Sequence, residues 1–178
     1  MNRILFYLAL AGVALTFQTV LLPLFLPNSY KPDLILLLVI YLGLHEKLWS
    51  GGLLVYSIGR GCDVFAGSFP GLHGFVLLAI FLAVRAIVSR VNAESSALLL
   101  GLVFLGTVLQ GALTVFALEF FLVDAQFWPQ ILWALPPQIL INLVAAFLLL
   151  KVALWFQLRF LPRRGMPGLR KVDSRYGT

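Results

Sequence analysis

Residues 97–123 read ALLLGLVFLGTVLQGALTVFALEFFLV and contain one ionisable side chain, Glu119. A helix needs about 20 apolar residues to cross the roughly 30 Å of hydrocarbon in a bilayer, and this stretch exceeds that length. The whole chain has the same character, with 61% hydrophobic residues, 11% charged residues and a mean hydropathy of +1.00. Soluble domains contain about 45–50% apolar and about 25% charged residues. The sequence therefore predicts an all-α membrane protein with several crossings.

Five further apolar segments, separated by polar breaks or by breaks rich in Pro and Gly, accompany this one. We predict a single domain over residues 1–160 with six transmembrane helices, at about 4–26, 32–46, 49–66, 72–88, 97–121 and 134–158, followed by a basic tail at 161–178. Pro136 and Pro137 stand at the start of the last segment or in a kink. The second and third segments are short for spans. They are either two short spans packed inside the bundle or a re-entrant pair that enters the membrane and returns.

Basic residues are distributed unevenly between the two ends of these segments. Short cytoplasmic loops retain Lys and Arg. With six crossings, one side holds only Lys31 and the other holds ten basic residues. The ten are Arg3, Lys47, Arg85, Arg90, Arg159, Arg163, Arg164, Arg170, Lys171 and Arg175. This asymmetry predicts that both termini are cytoplasmic and that the tail contacts anionic lipids. We expect no nucleic-acid partner, because the chain carries no nucleic-acid-binding motif.

Polar side chains inside the predicted spans are the candidate functional residues. Arg60 and Asp63 lie three residues apart, on one helical face, where they could form an ion pair. Gln138 and Asn142, together with Gln110, are intramembrane amides that could hydrogen-bond between helices. For both groups the alternative to a ligand or partner site is a purely structural role.

Two further features complete the candidate list. Pro32 and Asp33 precede an aliphatic run as a helix start does. Cys62 is the single cysteine, so no internal disulfide is expected, and the histidines are too scattered for a metal site. No nucleophile is paired with a base. We therefore expect neither enzymatic activity nor a cofactor.

Two stretches resemble the rod shape-determining protein MreD family. The first, residues 31–41, reads KPDLILLLVIY, and the second, residues 59–72, reads GRGCDVFAGSFPGL. The family pattern has a Pro and a polar residue before an aliphatic run, then a glycine, an aspartate four residues later, and Ser and Gly soon after. Gly59, Asp63, Ser68 and Gly71 occupy those positions. Arg60 departs from the small or apolar residue expected there.

The resemblance implies a non-enzymatic subunit of the bacterial inner membrane that serves the cell-elongation (Rod) machinery. Such a subunit binds MreC and links cytoplasmic MreB filaments to RodA and a penicillin-binding transpeptidase. The family's fold is similar to the substrate-binding subunits of vitamin (energy-coupling factor) transporters, with six helices around a polar pocket. A small-molecule-binding transporter subunit is therefore the alternative function. A homodimer is one of the oligomeric states that the sequence leaves open.

Overall fold

The protein is described by a computed structural model that covers residues 2–25, 31–66, 70–90, 96–121 and 128–160, and within these ranges the regular structure is entirely helical. The first helix, α1, consists of Asn2–Thr16, a π-helical turn at Phe17–Leu21 and a last turn at Leu22–Phe25. The other helices are α2 (Leu34–His45), α3 (Leu48–Ala66), α4 (Leu72–Val88), α5 (Ser96–Phe121) and α6 (Trp128–Phe160).

Helix boundaries lie within two residues of the predicted segments, except at the start of α6. This helix begins at Trp128 and not near residue 134, so Pro136 and Pro137 lie inside it. A proline inside a helix removes one hydrogen bond donor, and membrane helices tolerate this loss because local adjustments satisfy the freed carbonyls. The prolines therefore do not mark the helix start. The predicted tail at 161–178 lies outside the described residues.

Three helices are long and apolar enough to cross a membrane, over Ile4–Leu24, Ala97–Phe120 and Ile131–Val152. Their apolar side chains face outward to a large extent, because only 6%, 22% and 11% of the respective segments are buried. A soluble protein would leave such surfaces in water at a high free-energy cost. The chain is therefore a membrane protein whose exposed apolar faces meet lipid.

Helix α2 forms the centre of the bundle although it is the shortest uninterrupted helix. Eight of its twelve residues are buried, and it packs against α1, α3, α4 and α5. Twelve residues rise only about 18 Å, which is less than the hydrocarbon thickness. Because partners surround it, its apolar residues occupy all faces and show no amphipathic pattern. Its short length thus reflects an interior position.

Helices α3 and α4 form the most extensive helix pair in the described structure. Their backbones approach closely where Gly59 meets Gly74. A Cβ atom added to Gly59 would lie 2.5 Å from the Cα atom of Gly74, a separation that real Cβ atoms do not show. Glycine at position 59 is therefore required for this crossing, which sets the position of the next turn of α3 against the start of α4.

Candidate functional site

The polar residues of the bundle gather at two helix starts, beginning with that of α2. The first N–H groups of any helix lack partners within the helix, and inside a membrane they cannot bond to water. Asp33 is the N-cap of α2: its Oδ1 atom accepts a hydrogen bond from the backbone N–H of Leu36 at 2.9 Å. Its backbone carbonyl accepts from the N–H of Leu37 at 3.2 Å. The helix predicted to start at Pro32 and Asp33 therefore begins at Leu34, with Asp33 as its N-cap.

Amide side chains from three other helices complete this cap. Gln18 of α1 accepts from the backbone N–H of Leu34 at 3.2 Å, and Asn142 of α6 accepts from that of Asp33 at 2.8 Å. Gln110 of α5 donates to the Asp33 carboxylate at 2.7 Å. Four helices therefore meet at the start of α2.

A second layer of hydrogen bonds holds Asn142 in place. Its amide nitrogen donates to the Thr107 hydroxyl at 3.1 Å, and Thr107 in turn donates to the carbonyl of Val103 at 2.8 Å. Gln138, one turn before Asn142, donates to the backbone carbonyl of Lys31 at 3.0 Å. Asn142 is fully buried and Thr107 nearly so. These bonds fix α6 against both α2 and α5.

Measured along α5 and α6, this cap lies far from the nearer helix end. Gln110 is eleven residues before the end of α5, and Asn142 is fourteen residues after the start of α6. At 1.5 Å per residue these positions are about 16 Å and about 21 Å from the helix ends. Helix α2 therefore begins inside the bundle, and side chains provide the hydrogen bonds that water provides at a surface helix start.

The second polar helix start belongs to α4. Gly71 is its N-cap and has a φ of 103°, in the left-handed region that favours glycine. The carboxylate of Asp63 in α3 accepts from the backbone N–H of Gly71 at 2.7 Å and from that of His73 at 2.9 Å. The His73 ring nitrogen Nδ1 lies 3.0 Å from the same carboxylate and donates to it. Asp63 thereby fastens α4 to α3.

Asp63 does not form the ion pair that its spacing from Arg60 suggested. In the described structure its ionisable partner is His73, and Asp63 is buried whereas Arg60 is exposed. The Asp63 carboxylate accepts hydrogen bonds from backbone N–H groups at the start of α4, so its side chain points toward α4 and away from Arg60. The expected local bridge is wrong because the stronger partners come from the next helix.

A cavity of about 160 Å³ lies between the two caps, and we call it the polar cavity although apolar side chains such as Leu15 and Phe65 also line it. Its polar lining residues include Gln18, Asp33, His73 and Gln110, and Cys62 also faces it. Each buried side-chain nitrogen or oxygen of the described residues has a hydrogen-bond partner. The polar groups around the cavity are thus already engaged in the fold.

Sequence reasoning identified part of this arrangement. Asp33, Asp63, Gly71, Gln138 and Asn142 all lie at the two caps, and Gly59 lies at the α3–α4 crossing. The capping roles of Gln18, Thr107 and His73 were missed. The available signal was the isolated amide of Gln18 in an otherwise apolar run. Ser68 lies outside the described residues.

Among residues with described positions, no group of three or more His, Cys, Asp or Glu side chains could hold a metal ion. The caps provide hydrogen bonds between helices, and their chemistry is that of a structural joint.

Comparison of the chain with protein-family models, with curated proteins and with solved structures gives no match.

Proposed function

We propose that the chain is a non-enzymatic subunit of the bacterial cell-elongation machinery in the inner membrane. It binds MreC and connects MreB filaments to RodA and its penicillin-binding transpeptidase. The proposal rests on the MreD-like pattern in residues 31–74.

One structural observation supports the proposal in addition to the sequence pattern. The residues of the resemblance are those that join helices: Asp33 caps α2, Gly59 permits the α3–α4 crossing, and Asp63 with Gly71 caps α4. A catalytic pattern would collect reactive groups at an open site. A pattern that builds helix joints is what a rigid membrane scaffold requires.

The same proposal includes six crossings with both termini in the cytoplasm. Three helices have the length and apolarity of spans, and α2, α3 and α4 pack among them as shorter members of one bundle. Short or interrupted helices are tolerated at membrane depth when other protein segments surround them. The ten basic residues on one side supply the orientation.

A small-molecule-binding subunit is the second candidate, and the polar cavity is the observation in its favour. Its volume of about 160 Å³ is below the roughly 300–1,000 Å³ of typical small-molecule sites.

Melting of the purified protein with and without vitamin-sized ligands, with mass spectrometry of co-purified molecules, separates the two functions. A ligand-dependent rise in melting temperature supports the transporter subunit, whereas unchanged melting supports the scaffold.

Depletion and co-purification test the scaffold directly. Depletion of the protein in its rod-shaped host should round the cells, because lateral wall synthesis would lose a membrane subunit. The protein should also co-purify with MreC in mild detergent. Cells that remain rod-shaped after depletion would contradict the proposal.

The Asp63 cap gives a variant for this test. Asp63→Ala should reduce protein level and MreC recovery more than Glu94→Ala, because it removes three hydrogen bonds from the start of α4. Glu94, in the predicted cytoplasmic loop, lies outside the described residues. Immunoblots and MreC pull-downs on the two variants provide the comparison, and equal results for both would count against a structural role of Asp63.

A further inference from the structure

We propose that Arg60, together with the apolar groove between α4 and α5, binds an anionic phospholipid. Arg60 lies on the exposed side of α3, six residues before the helix ends. Within the described residues its guanidinium makes no hydrogen bond or ion pair. It is therefore a charge on the lipid-facing surface that the described part of the chain leaves unpaired.

The position of Arg60 makes a lipid headgroup its natural counterion. Six residues of helix correspond to about 9 Å, so a side chain as long as arginine can reach the headgroup region from this depth. An unpaired arginine deeper in the bilayer costs several kcal/mol. The planar guanidinium also donates paired hydrogen bonds to phosphate oxygens, a geometry that an ammonium group does not offer.

An apolar groove begins beside the guanidinium. It has a volume of about 500 Å³, and its walls include Leu72 and Phe75 of α4 and Phe116, Ala117 and Phe120 of α5. Gly71 lies at the edge of this groove, and the Arg60 Nη1 atom is 3.6 Å from the point that a Cβ on Gly71 would occupy. The headgroup position and the acyl-chain position are thus adjacent.

Because Gly71 and Gly74 have no side chains, the Arg60 side chain has room to extend toward the groove. The Cδ atom of Arg60 lies 3.6 Å from the point where a Cβ on Gly74 would be placed, so the arginine stem lies across these two glycines. The carboxylate of Asp63, three residues further along α3, is buried and accepts hydrogen bonds from Gly71 and His73. It leaves the Arg60 charge available for an external anion.

Native mass spectrometry of the purified full chain tests the site, with phosphatidylglycerol and phosphatidylcholine of identical acyl chains as probes. We expect the wild-type chain to retain one phosphatidylglycerol more tightly than phosphatidylcholine. Arg60→Gln should weaken phosphatidylglycerol retention about five-fold, the factor equivalent to about 1 kcal/mol for one basic residue near anionic headgroups. Arg60→Lys, which keeps the charge, should retain most of the binding.

Two other variants separate this site from general charge attraction. Arg90→Gln removes an exposed charge beyond the opposite end of α4 and should leave the retention unchanged. Ala117→Leu narrows the groove without changing charge and should reduce it. Equal retention of the two lipids by the wild-type chain, or equal losses in Arg60→Gln and Arg90→Gln, would overturn the proposal. Should Arg60→Gln fail to fold, the wild-type comparison and Ala117→Leu still decide it.

Discussion

Asn142 is the side chain on which the buried hydrogen bonds converge. It is completely buried, accepts from the backbone of Asp33 and donates to Thr107. Removing one partner of a buried hydrogen bond costs about 1–3 kcal/mol, because the remaining group loses water without gaining a replacement. The stability of the α2 start therefore depends on single polar atoms.

Thr107→Val tests this dependence with almost no change in shape. The valine leaves the amide nitrogen of Asn142 without its acceptor, and we expect the free energy of unfolding to fall by about 1–2 kcal/mol. Thr16→Val is the matched control, since Thr16 is exposed and bonds only to the carbonyl of Gly12 in its own helix. Thermal melting in detergent measures both variants. Equal melting temperatures for the two would show that the Asn142 network contributes little.

Among the helices, the pair α3 and α4 depends most on close backbone approach. Gly59 lies against Gly74, and one turn later Asp63 reaches the start of α4. A wider crossing would move the carboxylate away from the N–H groups that it caps. The crossing and the cap are therefore coupled parts of one helical hairpin.

Gly59→Ala should force this hairpin apart. The added methyl group would overlap with the backbone of Gly74, which cannot rotate away as a side chain can, so we expect a loss of about 1–3 kcal/mol. Gly101→Ala is the control, because nothing lies within 4 Å of its added Cβ and alanine favours helix. Melting curves should show a lower transition for Gly59→Ala and an unchanged or higher one for Gly101→Ala. The reverse order would refute the close crossing.

For the molecule as a whole, the bundle combines an apolar outer surface and an apolar core with a small polar region inside. Large apolar side chains of α1 and α6 are exposed, among them Val13, Trp133 and Leu140. Within the described residues, the buried polar side chains lie at the two caps, beside the small cavity between them. This distribution is the one that a lipid solvent favours, because apolar groups can face outward and backbone groups must be satisfied inside.

The orientation proposed for the bundle has its own experiment. Reporter fusions after Arg90 and at the C-terminus should both report cytoplasm, and a fusion near Asp124 should report the exterior, because ten basic residues oppose Lys31 and Arg60. A cytoplasmic signal at Asp124 would reverse the orientation or change the number of crossings.

How far the sequence predicts this structure depends on how local each signal is. The bounds of α4 follow from the Gly and Pro residues before it and from the apolar run at residues 75–84. The bond between Asp33 and Asn142 joins positions 109 residues apart, and no local pattern indicates it. Arg60 and Asp63 are misleading for the same reason, since their spacing suggests a pair while the partners of Asp63 lie on another helix. Local composition predicts helices, and packing selects the contacts.

The buried start of α2 also constrains how the chain is made. Its capping partners Gln110 of α5 and Asn142 of α6 are synthesised after α2, so the start of α2 lacks these hydrogen bonds while it is inserted. A nascent chain that ends before α6 leaves the backbone N–H of Asp33 without its Asn142 acceptor, at a place where the finished bundle excludes water. Biogenesis of this protein is therefore expected to finish in one late step, when α6 arrives and Asn142 closes the bundle.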